Sequence, residues 1–114
     1  MRANNWPRFT TETLEFMGNV TSRYYPAANI TFLLVLGPMA PTAPSAALQA
    51  AVAQGTAAGF RVQLVNASAA CGAGLQGCLD GCASHPGVGS HRAIAKAVAP
   101  VLQAAMGWPS PGQL

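Results

Sequence analysis

The stretch from Tyr24 to Phe60 carries no charged side chain, and it limits the possible folds more than any other part of the chain. Within it, Ile30-Thr31-Phe32-Leu33-Leu34-Val35-Leu36 is a continuous apolar run with enough β-branched and aromatic residues to read as a strand. A run without polar alternation suits a strand covered on both faces, as in a parallel sheet. Gly37-Pro38 stops it, and Pro38, Pro41 and Pro44 break up the residues after it. The run is far shorter than the roughly 20 residues a helix needs to cross a bilayer, so no membrane span is expected.

The flanking segments supply the rest of an α/β pattern. From Arg8 to Tyr24 the spacing predicts a helix, with Pro7 in its first turn. Glu12 and Glu15 favour the positive end of its dipole and Arg23 the other end. Phe9, Thr13, Phe16, Val20 and Tyr24 recur at three- and four-residue intervals and are expected to form its apolar face. Tyr25-Pro26 ends it. Ser45 is the expected N-cap of a second helix, Ala46 to Ala58, with a thin stripe of Leu48, Ala51, Val52 and Ala58, closed by Gly59. Phe60 to Val65 alternates and reads as a second strand, which makes a right-handed strand–helix–strand crossover.

Asn66 to Pro86 is a long glycine-rich loop. The last helix is expected from about Val88 to Met106, with Ile94, Val98, Val101, Leu102 and Ala105 on one face, a kink at Pro100 and a stop at Gly107. The order helix, strand, helix, strand, loop, helix predicts part of a flavodoxin-like three-layer α/β/α domain with parallel strands. It occupies 8–108, with 1–7 and 109–114 as tails.

At 114 residues the chain is one domain at most. The 8% charged fraction excludes a disordered charged tail. Arg2, Arg8, Arg23, Arg61, Arg92 and Lys96 are scattered, which argues against a nucleic-acid partner. Met1-Arg2-Ala3-Asn4-Asn5 has no apolar signal-peptide core. Asn19-Val20-Thr21, Asn29-Ile30-Thr31 and Asn66-Ala67-Ser68 match the glycosylation triplet, by chance or as the mark of a secreted ancestor, so localisation stays open. Cys71, Cys78 and Cys82 crowd one loop at a spacing that fits no zinc ribbon. One loop disulfide plus one thiol is the simpler reading, and a Cys-Cys-Cys-His site with His85 is the other. No cofactor or metal is expected.

The chemically informative block is Gly81-Cys82-Ala83-Ser84-His85-Pro86-Gly87-Val88-Gly89-Ser90-His91. It resembles the last block of the SGNH (GDSL-like) esterases and lipases, where a catalytic His-Pro precedes the final helix. The nearest branch is carbohydrate-esterase-like, with Gly-Cys-Asp-x-His-Pro-x-Val-x-x-His. Phe9 through Val20, Tyr25-Pro26, Leu36-Gly37-Pro38-Met39 and Gly107-Trp108 follow the order of the family's second half. The resemblance implies hydrolysis of acyl esters, O-acetylated sugars among them, with His85 as the general base to a serine.

Two departures qualify that implication. The family's Gly-Asp-Ser nucleophile block and its oxyanion-hole blocks do not occur in the 114 residues. Ala83 stands where the family has an acid two residues before the His. Asp80 is the one acid in the loop, either as a turn residue before Gly81 or as an orienting acid for His85. Some esterases of this branch use a Ser-His pair with a backbone carbonyl, so the missing acid alone does not abolish the chemistry, whereas the missing serine does. His91, six residues on, reads as a packing or loop-anchoring residue. The chain alone is therefore expected to be inactive. Its partners would be an ester-bearing small molecule or acetylated carbohydrate, a separate first half, or a second copy. The alternative is a non-catalytic remnant or binding module.

Overall fold

The computed structural model describes residues 5–24, 30–38, 42–68, 70 and 81–109. Pro7 opens α1 (Trp6–Asn19), two residues before the expected start, and the chain continues as a π-helical turn over Val20–Tyr24. Then come β1 (Thr31–Leu36), α2 (Thr42–Ala57), β2 (Arg61–Asn66), a 3-10 turn (Cys82–Ser84) and α3 (Val88–Met106). β1 and β2 form a two-stranded parallel sheet, so the chain is α/β. No helix among the described residues is long and apolar enough to cross a membrane. The chain divides into two compact units, Met1–Leu34 with Pro41–Leu64, and Val35–Ala40 with Val65–Leu114.

In the first unit α1 packs on α2. The buried side of α1 is Thr10 and Met17, with Leu14 half-buried, as is Thr21 in the π-helical turn. Of the expected face, Thr13 and Val20 are half-buried, but Phe9 is 38% exposed and Phe16 62%. One residue is about 100° around a helix, enough to exchange the packed side for its neighbour. The cause is the partner surface. α2 presents Ala47, Leu48, Ala51 and Gly55, which are buried, while Ala58 is exposed. Against such small groups a methionine and a threonine fit where two phenylalanines do not. A Cβ added to Gly55 would lie 3.0 Å from Val62 Cγ1 and 3.1 Å from Met17 Cε. Thr10 Oγ1 donates to the Ala47 carbonyl (3.3 Å) and tethers the two helices.

Polar expectations shift with the helix starts. Glu12 is in mid-helix and accepts a hydrogen bond from Arg8 Nε (2.7 Å), which raises the Arg8 pKa above its ordinary value. Ser45 lies inside α2, where its Oγ accepts from Gln49 Nε2 (3.3 Å) instead of capping the helix. The glycine stops hold. Gly59 (φ 90°) ends α2, with Gly59 N–H donating to Thr56 C=O and Phe60 N–H to Gly55 C=O, the paired bonds of a left-handed glycine cap. Gly107 (φ 66°) ends α3 in the same way, through Ala104 and Gln103.

The strands keep their expected places but not their cover. Thr31 to Leu34 are half-buried, Val35 is 43% exposed and only Leu36 is buried. The expectation of a β1 covered on both faces is therefore met only in part, and among the described residues β2 is its one sheet neighbour. In β2, Val62 and Val65 are buried while Arg61, Gln63 and Asn66 are exposed. Pro100 lies within α3, which runs on past it. Ile94, Val98, Val101 and Ala105 are half-buried and Leu102 is 38% exposed, so Ser90 is the buried residue of that helix.

Met17 is the large side chain that is fully buried. Met17→Ala is expected to cost about 2–5 kcal/mol, because the loss of transfer energy adds to an unfilled cavity. A lowered midpoint in urea unfolding would show it, and an unchanged midpoint would mean that α1 does not depend on this contact.

Candidate functional site

The His-Pro block forms a tight backbone knot just before α3. Gly81 N–H donates to His85 C=O (2.7 Å), and His85 N–H donates to Cys82 C=O (3.1 Å). Gly81 is required there: a Cβ would lie 2.7 Å from His85 O and 3.1 Å from both Gly87 N and Pro86 O, all backbone atoms that cannot swing aside. Ala83 takes a left-handed conformation (φ 52°, ψ 39°), which costs a non-glycine residue about 1–2 kcal/mol. Gly87 is extended and leads into α3, whose first-turn bond runs from His91 N–H to the Gly87 carbonyl (3.0 Å).

This knot positions the His85 ring. Nδ1 lies 3.0 Å from Ala83 O and 3.3 Å from Cys82 O. A carbonyl can only accept, so Nδ1 carries a proton, and in the neutral ring Nε2 is the nitrogen with the lone pair. The side chain is exposed. The arrangement is that of a proton acceptor held in one tautomer by the main chain. Among the described residues two main-chain carbonyls, and no side chain, make the contacts that orient it.

Of the other expected site residues, Asp80 lies outside the described residues, as do Cys71 and Cys78. Cys82 is exposed and free. His91 is exposed in the first turn of α3. Among the described residues the ring of His85 has carbonyl partners and no serine partner. Ser90 is buried, and Ser68 donates from both its N–H and Oγ to Asn66 Oδ1 (3.0 and 2.5 Å) in a turn after β2. No group of three or more His, Cys, Asp or Glu able to hold a metal occurs among the described residues.

The residue that side-chain reasoning missed is Ala83. An alanine offers no side-chain function, yet its carbonyl receives Nδ1–H. The legible signal was the glycine two residues before it, which permits the loop to fold back on itself.

A groove of about 590 Å³ lies between α1 and α2, lined by Trp6, Thr10, Thr11, Ala46, Ala50 and Gln54 among others. The Thr10 and Thr11 hydroxyls donate to helix carbonyls and no acid–base group lines it, so it offers shape without chemistry. Gly81→Ala is expected to break the Gly81–His85 bond and release the ring from Ala83. The ¹⁵N shifts of His85 should then move away from the Nδ1–H tautomer toward the Nε2–H form that a free imidazole favours, and an unchanged tautomer would contradict the assigned role of the knot. Comparison with protein-family models, with curated proteins and with solved structures gives no match.

Proposed function

We propose that this chain is the His-bearing part of an SGNH-type ester hydrolase, built on a flavodoxin-like three-layer α/β/α plan, in which His85 acts as general base. One observation carries the reading: Nδ1 of an exposed His85 is held by the Ala83 carbonyl at 3.0 Å, leaving Nε2 free to take a proton. A base of this kind removes the proton of a serine as it attacks an ester carbonyl, then returns it to the leaving alcohol. The substrate class is acyl esters, O-acetylated carbohydrate included. Because the 114 residues hold no Gly-Asp-Ser block, the nucleophile has to come from a separate segment or chain. That absence also favours a second reading, a non-catalytic module that docks on such a segment or on an ester-bearing sugar.

With the Ala83 carbonyl as orienting group, Asp80 becomes dispensable for holding the ring. The test joins or mixes the chain with a first half bearing strand and Gly-Asp-Ser, and compares kcat/KM and Tm across variants. His85→Ala should lower turnover by about 10²–10⁴-fold or more with the fold retained. Asp80→Asn should cost much less, and His91→Ala should change Tm more than turnover. The unmixed chain should hydrolyse p-nitrophenyl acetate no faster than free imidazole does. Near-normal turnover in His85→Ala would remove this reading, and failure of every pairing to hydrolyse esters would leave the binding module.

A further inference from the structure

Among the described residues strand β1 has one edge without a strand neighbour, and its composition and register suit pairing with itself. Ala67 N–H donates to the Leu36 carbonyl at 2.9 Å, so the backbone groups of Leu36 face the β2 side. In an extended strand the N–H and C=O of one residue point to the same side, and successive residues alternate. Phe32 and Leu34 therefore also face β2, while Thr31, Leu33 and Val35 turn their backbone groups the other way. Among the described residues no strand lies on that side.

Edges of this kind are normally guarded by charge, proline or a polar face. β2 is guarded, with Arg61, Gln63 and Asn66 exposed along it. β1 is not. It contains neither charge nor proline, and the nearest charged residues in sequence are Arg23 and Arg61. Its residues are half-buried or, at Val35, 43% exposed, the intermediate cover of a strand open on one side.

We infer that β1 pairs antiparallel with β1 of a second copy about a two-fold axis at Leu33. Two identical strands related by a two-fold run antiparallel, and the interface is self-complementary. With the axis at Leu33, Leu33 faces its own symmetry mate and Thr31 faces Val35 of the partner subunit. All of these are outward-facing residues, so each pair exchanges both backbone bonds. Thr31 and Val35 are both β-branched, a favourable cross-strand combination, and no register opposes like charges. The product is a four-stranded sheet whose outer edges are the guarded β2 strands, so assembly stops at the dimer. Pairing needs no catalytic role for His85, and it concerns the chain by itself, since a first half that added a strand to β1 would take the same edge.

Two measurements test it. Sedimentation across roughly a hundredfold range of concentration should show the mass doubling and then levelling off. Over that range amide exchange should slow at Thr31, Leu33 and Val35 with concentration, while Phe32 and Leu34 stay protected throughout. A single mass at all concentrations, oligomers that keep growing, or concentration-dependent protection at the even positions instead would each overturn the inference. Leu33→Lys and Leu33→Glu should each give monomers, since like charges meet at the axis, and mixing the two variants should restore the doubled mass. If either variant does not fold, the exchange pattern of the wild-type chain still decides the matter.

Discussion

Gly55 sets how closely α1, α2 and β2 can approach, and the packing of the first unit depends on that approach. A methyl group there would press on Val62 and Met17. With no side chain in the way, α2 meets α1 along Ala47, Ala51 and Gly55, and Met17 fills the contact at 0% exposure. Small residues remove little apolar area each, so this core depends on close contact more than on the bulk of its side chains. The Thr10 hydroxyl fits the same logic: it reaches the Ala47 carbonyl only because no side chain holds the helices apart. A glycine inside a helix costs roughly 1 kcal/mol relative to alanine, and the packing at Met17 is what offsets it.

At the His-Pro block the constraint is again a glycine, but it acts on main chain alone. Gly81 lets the chain return to His85 at 2.7 Å, and that closure holds Ala83 in a conformation alanine avoids. Strain of this sort persists only where the surrounding bonds leave no alternative. Its yield is a carbonyl aimed at Nδ1. A carbonyl selects the tautomer as well as a carboxylate does, but it offers an imidazolium a dipole in place of a full negative charge. On the proposed esterase reading, a base oriented this way would gain little stabilisation as an imidazolium and would leave more to whatever binds the developing oxyanion.

The parts of the fold legible in the sequence are those written in local chemistry. Gly59 and Gly107 marked helix ends because left-handed caps favour glycine, and the β1 run survived as a strand because its side chains leave little else open to it. The illegible parts depended on partners distant in sequence. The face of α1 turned on how small the facing residues of α2 are, which no periodicity within residues 8–24 contains. Ser45 had the chemistry of a cap, yet α2 starts at Thr42 and carries Ser45 inside it. At the site, His85 could be picked out by its neighbours, whereas the role of Ala83 could not, because a backbone carbonyl has no residue type.

Several apolar side chains of the described residues are more exposed than the core of an α/β domain leaves them. The β1 sequence is apolar on both faces, a pattern made for a sheet interior, yet Val35 is 43% exposed; Phe16, Met106 and Trp108 are more than half exposed. A parallel two-stranded sheet is marginal by itself, and exposed apolar groups of this size are common where a protein meets another surface. Two kinds of completion answer to two different residues. A second copy on β1 satisfies Leu33 and its neighbours without touching the chemistry of His85. On the proposed esterase reading, a segment carrying the Gly-Asp-Ser block that this sequence lacks would bring a serine to Nε2 of His85. The first is a property of backbone edges and needs no specific partner side chain. The second needs one hydroxyl at hydrogen-bond distance from one nitrogen, a far narrower geometric demand that only a defined partner can meet.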